Sequence, residues 1–386
     1  MSALAARLRP RRLDRRAILA KLGSMTGVVA GALIIVYVLL ALSSSDPWQA
    51  TVSLVQGPIT DPSRITQWLS DAASLTLTGL AVALVFRCSQ FSLGAEGQVA
   101  IGALASGAVV LHLGSVPGAW VIGLLVGAGA GFLWGAVPGI AKAYGDADEI
   151  VSTLMLNYVA LLFFSFAIKQ WLQPPNAGFA VSDFYAPHAW MPTFGTSPAI
   201  PFTLILAIAL SLLTAYLLMR TRAGFELRMT GSNLRFAMAV GLRVRRSIWL
   251  SMAVSGAIAG VAGAAVAETQ THRLILGLSG NIGYDGILVA LLAANRPLFV
   301  PLAALAYGYL RTGGDIAQIT SNTPREIVTT VQGLLILFVT ARFTDVGDRL
   351  KRLLGRARRG RPPADARGGL PAEPAATDPT PKAEVG

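Results

Sequence analysis

Residues 91–112 read FSLGAEGQVAIGALASGAVVLH. From Val99 to Leu111 the run is apolar or small, yet its opening carries a carboxylate, Glu96, and an amide, Gln98, set among glycines. A run of this kind is either a buried helix of a soluble protein or a segment that enters a bilayer, where a charge is expensive and needs a partner, a wet cavity or an interface. Composition decides between them. The 386 residues are 53% hydrophobic and only 13% charged, about half the charge of a soluble domain. The chain therefore reads as an all-α polytopic membrane protein.

The net charge of +12 does not point to nucleic acid, because it is not spread as a binding stripe. Seven of the 32 Lys and Arg lie in residues 1–23, seven in 220–246 and eight in 342–361. Each cluster flanks an apolar run, as the positive-inside rule expects of cytoplasmic segments. About ten spans follow: 24–43, 68–87, 91–112, 117–140, 150–172, 200–219, 248–268, 282–295, 297–311 and 326–341. The eighth and ninth are short and split by Asn295, Arg296 and Pro297, as in a hairpin of short helices or a re-entrant element. Alternation puts both termini, Arg87, Lys142 and Arg296 in the cytoplasm, and 44–67, 173–199, 269–281 and 312–325 outside. Domain organisation is then a basic arm over 1–23, a membrane domain over 24–341 with a cytoplasmic loop at 220–247, and a tail over 342–386 that is basic and then Pro- and Ala-rich, expected to be disordered. The 24–43 span is longer than the apolar core of a usual signal peptide and is read as a retained anchor.

One cysteine, Cys88, rules out an internal disulfide framework and a Cys-based zinc site. The three histidines are scattered without metal-ligand spacing. Glycines at spacings of three and four (Gly123, Gly127 and Gly131; Gly256, Gly260 and Gly263) predict close helix–helix approach in lipid.

The polar residues at membrane depth are the functional candidates: Glu96, Gln98, Asn157, Asn281, Asp285 and Gln332. Gly94-Ala95-Glu96-Gly97 and Gly283-Tyr284-Asp285-Gly286 share the pattern G-x-acid-G and open spans of opposite direction, as an inverted repeat would. The glycines permit a broken helix entrance with polar groups facing the bundle centre. A compatible reading makes the two acids N-terminal caps favoured by the helix dipole. In the 220–247 loop, Asn233 or Ser232 is placed to cap a short helix from Leu234, and Gly241 to end it. Such a helix suits docking to a partner protein or lying on lipid head groups.

FSLGAEGQ, DEIVSTLMLNYVA (148–160), the G-S-N-x-x-x-A-x-x-x-G loop (Gly231, Asn233, Ala237, Gly241) and GYDGILVALLAANRPL (283–298) together resemble the permease subunits of bacterial ABC importers for nucleosides and simple sugars, relatives of ribose and branched-chain amino-acid permeases. The likeness runs over about 65–341. It implies a type II-like permease built on an inverted repeat in the bacterial plasma membrane, paired with a second homologous permease, a cytoplasmic ATPase and an extracellular substrate-binding lipoprotein. Gly231, Asn233, Ala237 and Gly241 fall where that family couples to its ATPase. Ser92 and the Ala293–Arg296 run depart from the family pattern, which bears on the pathway residues. The chain has no G-x-x-x-x-G-K-[ST] phosphate loop, so ATP is expected to be bound by the partner, with no cofactor in this chain. The alternative is an ion-coupled secondary transporter with Glu96 or Asp285 as carrier. A membrane-embedded enzyme would need clustered His, Asp or Ser at membrane depth, which the sequence does not show.

Overall fold

The computed structural model describes residues 46–321 except 115, together with 37, 38, 41, 324, 327 and 329–334. The expected arm, tail and most of the first and last spans lie outside the described residues. The elements are helical: α1 (Pro47–Thr60), α2 (Pro62–Arg87), α3 (Ala95–His112), α4 (Ala119–Gly145), α5 (Glu149–Ala167), α6 (Phe202–Arg220), α7 (Arg222–Ser232), α8 (Leu234–Ala239), α9 (Val244–Val266), α10 (Ile282–Leu292) and α11 (Val300–Ser321). A two-residue β-ladder pairs Thr193–Phe194 with Ile200–Pro201.

Local chemistry sets several boundaries. Pro47 and Pro62 open α1 and α2, where a missing N–H costs nothing. Asp148 caps α5, accepting from Ile150 N–H at 2.8 Å and Val151 N–H at 3.1 Å. Single π turns, Ile168–Leu172 and Ala267–Thr271, finish α5 and α9.

Helices α2, α4, α6 and the π-extended α5 and α9 are long and apolar enough to cross a bilayer, with a sixth span if the bent α10–α11 pair counts as one. Ten were expected; two of those fall largely outside the described residues. α3 falls short because Glu96, Gln98 and His112 sit at its ends. Two expected boundaries are corrected. Residues 312–321, expected outside the span, continue α11, and residues 47–60 form a helix of their own. Both were hidden by polar residues that are satisfied within the bundle, such as Ser53 with Thr320 (2.9 Å) and Thr312 with Asp71 (3.3 Å).

Helices α2 and α9 are enclosed on nearly all sides, while α4, α5 and α6 turn most of their apolar side chains outward. With no water to drive burial in lipid, that outward face suits acyl chains and the seams rely on small residues. A Cβ at Gly135 would lie 2.6 Å from Met252 O, and those at Gly131 and Gly256 would strike each other's helix backbone. The glycine spacing read from the sequence is thus the α4–α9 seam at Gly127, Gly131, Gly256 and Gly260, while Gly123 and Gly263 lie against α3.

α10 is bent by 111° from the helical stretch Pro297–Ser321. The turn between them holds Ala294 and Asn295 at φ 51° and 53°, a left-handed conformation that costs a residue with a Cβ roughly 1–2 kcal/mol. Ala294→Gly is therefore expected to raise the thermal midpoint in detergent by about 1–4 °C, the gain being trimmed by glycine's greater unfolded-state entropy. A lowered midpoint would show that the turn is held by something other than backbone preference.

Candidate functional site

Arg87, Lys142 and the 220–246 loop cluster at one end of the bundle, its basic end. Arg87 Nε–H donates to Asn295 O at 2.7 Å there. Nine residues further along α2, roughly 14 Å, Thr78 lies against Gly286 in the first turn of α10. α10 thus begins about halfway through a hydrocarbon core of roughly 30 Å and runs toward the basic end. α3 begins at a similar depth. Asn157, eight residues or about 12 Å into α5, donates to Leu93 O at 2.7 Å and accepts from Gly97 N–H at 2.9 Å. From there α3 runs the opposite way. The two broken helices meet start to start.

Glu96 occupies the meeting point and is buried. Gly283 N–H donates to its Oε2 at 2.9 Å, and Ser279 Oγ–H donates to its Oε1. The carboxylate therefore caps α10, not its own helix, and the positive ends of two helix dipoles converge on it. The approach demands glycine at 283, where a Cβ would collide with the Glu96 backbone. Asn157 Nδ2 also donates to Tyr284 Oη at 3.2 Å, tying α5 to the same turn.

Asp285, in the first turn of α10, is paired with Arg311 of α11 and accepts from Tyr307 Oη–H at 2.5 Å. Arg311 Nη2 donates to Gly280 O at 3.0 Å. Toward the end opposite the basic one, Asp71 of α2 accepts from Thr312 Oγ1 at 3.3 Å and from Gln270 Nε2 at 3.5 Å. Glu268, on the π turn after α9, is fully buried and accepts from Ser106 Oγ–H at 2.6 Å, while its Oε2 has no hydrogen bond among the described residues.

Of the residues picked from the sequence, Glu96 and Asn157 share one network with the backbone and Tyr284 of α10, and Asp285 lies next to it. Gln98 is buried, with Oε1 unbonded among the described residues and Nε2 filling the space left by Gly94 and Gly135. Asn281 stands exposed at φ 66°, just before α10. Among the described residues, Gln332 Nε2 donates to the carbonyls of Leu310 and Arg311, at 3.4 and 3.5 Å. The sequence reading missed Asp71, Glu268 and Arg311. Their signal was present, an ionisable residue within a span, but each lay within a few residues of an expected span end and passed as interfacial.

At the basic end, the four loop residues serve the backbone. Gly231 lies against the Arg87 carbonyl with no room for a Cβ, and Ser89 Oγ–H donates to Gly231 O at 2.5 Å. Asn233 Oδ1 caps α8 through Phe236 N–H at 3.0 Å, and Gly241 ends it at φ 80°. Ala237 is fully buried with Cys88, Ala143, Val244 and Ile248. Leu234, Phe236, Met238 and Val240 are left exposed.

At the other end, His272 stacks on Trp190 with centroids 4.0 Å apart, and burial lowers its pKa. The segment 182–191 is strapped onto it by Tyr185 N–H to His272 O (2.8 Å) and Met191 N–H to Glu268 O (3.3 Å).

Multiple apolar spans, a polar break at mid-depth and a structured loop at the basic end define a multi-pass membrane transport protein. The chain belongs to the family described as branched-chain amino acid transport system / permease component, whose model matches residues 64–340. It is 33% identical over 278 residues to the guanosine ABC transporter permease protein NupP of Bacillus subtilis (strain 168), covering 69% of this chain and 78% of NupP. It is 28% identical over 337 residues to the nucleoside ABC transporter permease protein NupB of Lactococcus lactis subsp. cremoris, covering 83% and 90%. It is 31% identical over 362 residues to the glucose ABC transporter permease protein TsgB13 of Haloferax volcanii, covering 90% and 94%. No solved structure matches the chain.

Proposed function

We propose that this chain is the translocating subunit of an ATP-driven importer for a nucleoside or simple sugar, with both termini in the cytoplasm. The observation that carries the reading is the convergence of α3 and α10 on Glu96 at mid-depth. A carboxylate that holds two half-helices together is a hinge whose hydrogen bonds can be exchanged for contacts with a solute as the bundle opens. Glu96, Gln98, Asn157, Asn281 and Asp285 are assigned to the pathway and its gating. Paired or hydrogen-bonded acids leave little net charge for a neutral, hydroxylated solute to meet.

The remaining parts follow from the same reading. α2 packs against α10 and α11, and α9 against α3 and α4, an exchange of roles that supports an inverted repeat. Gly231, Asn233, Ala237 and Gly241 shape the α7–α8 loop, so that Leu234, Phe236 and Met238 face a cytoplasmic ATPase, which binds the ATP. A second homologous permease and an extracellular substrate-binding lipoprotein complete the importer, and this chain itself holds no cofactor.

An ion-coupled transporter working alone is the competing reading, favoured by one observation: Glu268, a fully buried carboxylate with an unbonded oxygen among the described residues. Uptake of radiolabelled nucleosides and sugars, in cells lacking the chain and complemented with it, separates the two. Uptake is expected to require ATP and to fall about tenfold or more with Glu96→Gln, because an amide N–H set against the Gly283 N–H or Ser279 leaves a buried donor unmet at about 1–3 kcal/mol. Uptake that survives ATP depletion and collapses with the proton gradient would replace the importer by the ion-coupled transporter.

A further inference from the structure

A groove of about 300 Å³ opens between the first turns of α2 and the last turns of α11, away from the basic end. Its polar lining includes Arg64, Gln67, Thr312 and Asp315, with Ile316 and Ile319 beside them. Gln67 and Asp315 are exposed, Arg64 is half-buried and Thr312 is buried. Arg64 is held by Asp61 at 3.3 Å. Thr312 donates onward to Asp71, one turn beyond Gln67 on α2, and Asp71 also takes Gln270. Arg311, next in sequence to Thr312, reaches Asp285 and the Gly280 carbonyl. The groove is thus the open end of a polar line that runs inward to the α3–α10 break.

We infer that this groove is the entry site for the solute and that it binds a sugar ring by its hydroxyls. The inference rests on the importer reading above and deepens it. A ring hydroxyl both donates and accepts. The groove offers carboxylate and threonine oxygens to accept, the Thr312 proton being held by Asp71, and a guanidinium and an amide to donate. Ile316 and Ile319 supply an apolar strip for the C–H face of the ring. Among the described residues none that lines it is aromatic, so these offer a nucleobase no ring to stack on. A free sugar and the ribose of a nucleoside present the same hydroxyl chemistry, and the groove reads that shared part.

The test uses the full chain in its native membrane. With Cys88→Ala removing the one native thiol, Gln67→Cys is reacted from outside with a membrane-impermeant maleimide, with and without ribose, glucose, a nucleoside or a free nucleobase. The sugars or the nucleoside are expected to slow labelling several-fold and the free base to leave it unchanged. Which hydroxylated solute protects best identifies the source of the ring. Thr312→Val and Asp315→Asn are each expected to raise the concentration for half-protection about tenfold, the loss of roughly 1.4 kcal/mol, and Asp315→Asn to do so without lowering the thermal midpoint. A cysteine at 67 that does not react from outside, reacts without protection, or is protected equally by the free base overturns the inference. Uptake that persists without protection sinks the groove alone. Protection without uptake sinks the importer reading and leaves the groove a binding site.

Discussion

Gly131→Val and Gly256→Val are each expected to remove most folded protein from the membrane. Carbonyl oxygens and Cα atoms of the facing helix occupy the space a side chain would need at either position. Overpacking against movable side chains costs about 1–3 kcal/mol; here the obstacle is backbone, so the helices must separate along the seam. That loss lowers the apparent thermal midpoint by roughly 6–12 °C or more, read by fluorescence-detected size exclusion after heating. Gly129 on the same helix provides the control, since it is exposed and a Cβ there would meet nothing within 4 Å. Gly129→Ala should fold as well as wild type or slightly better, by the helix preference of alanine. Equal damage at 129 and 131 would show that helix α4 needs glycine for flexibility and not for close packing.

Arg311→Met is expected to be among the most damaging single charge removals. It leaves Asp285 in the bundle with Tyr307 as its remaining partner among the described residues, and breaking such a half-buried pair from one side costs up to the roughly 3–5 kcal/mol of a fully buried one. It also frees the Gly280 carbonyl just before α10. Asp285→Asn combined with Arg311→Met should recover much of the stability, because neither charge is then left alone, giving a coupling of about 1–3 kcal/mol in a double-substitution cycle. Uptake should stay low in the double variant, since the polar line from the groove to the break would be interrupted. Additive losses would mean that the two side chains are stabilised separately, by Tyr307 and by the Gly280 carbonyl.

The two substitutions test different layers of the fold, and the sequence reveals those layers unequally. The glycine seam is legible because helical geometry puts every third or fourth residue on one face, and lipid rewards small residues there. The α7–α8 loop is legible for the same local reason: an Asn cap and a left-handed Gly act within a few residues of themselves. The pattern G-x-acid-G likewise marks both helix starts. None of this tells where the acids find their partners. Glu96 is satisfied by Ser279 and Gly283, 183 and 187 residues away. Asp71, Gln270, Arg311 and Thr312 come from three separate parts of the chain.

By itself, then, the sequence determined a helical membrane protein, the small-residue faces of its helices, its basic end, and some of the polar residues that enter the bilayer, Glu96 and Asn157 among them. Only the tertiary structure decided that α3 and α10 stop short and meet on one carboxylate, that α11 runs on to residue 321, and that Arg311 neutralises Asp285. The reason is physical. Helix period and caps are set by neighbours along the chain, whereas a polar group at membrane depth has no water and must be satisfied by whatever backbone or side chain the packing brings to it.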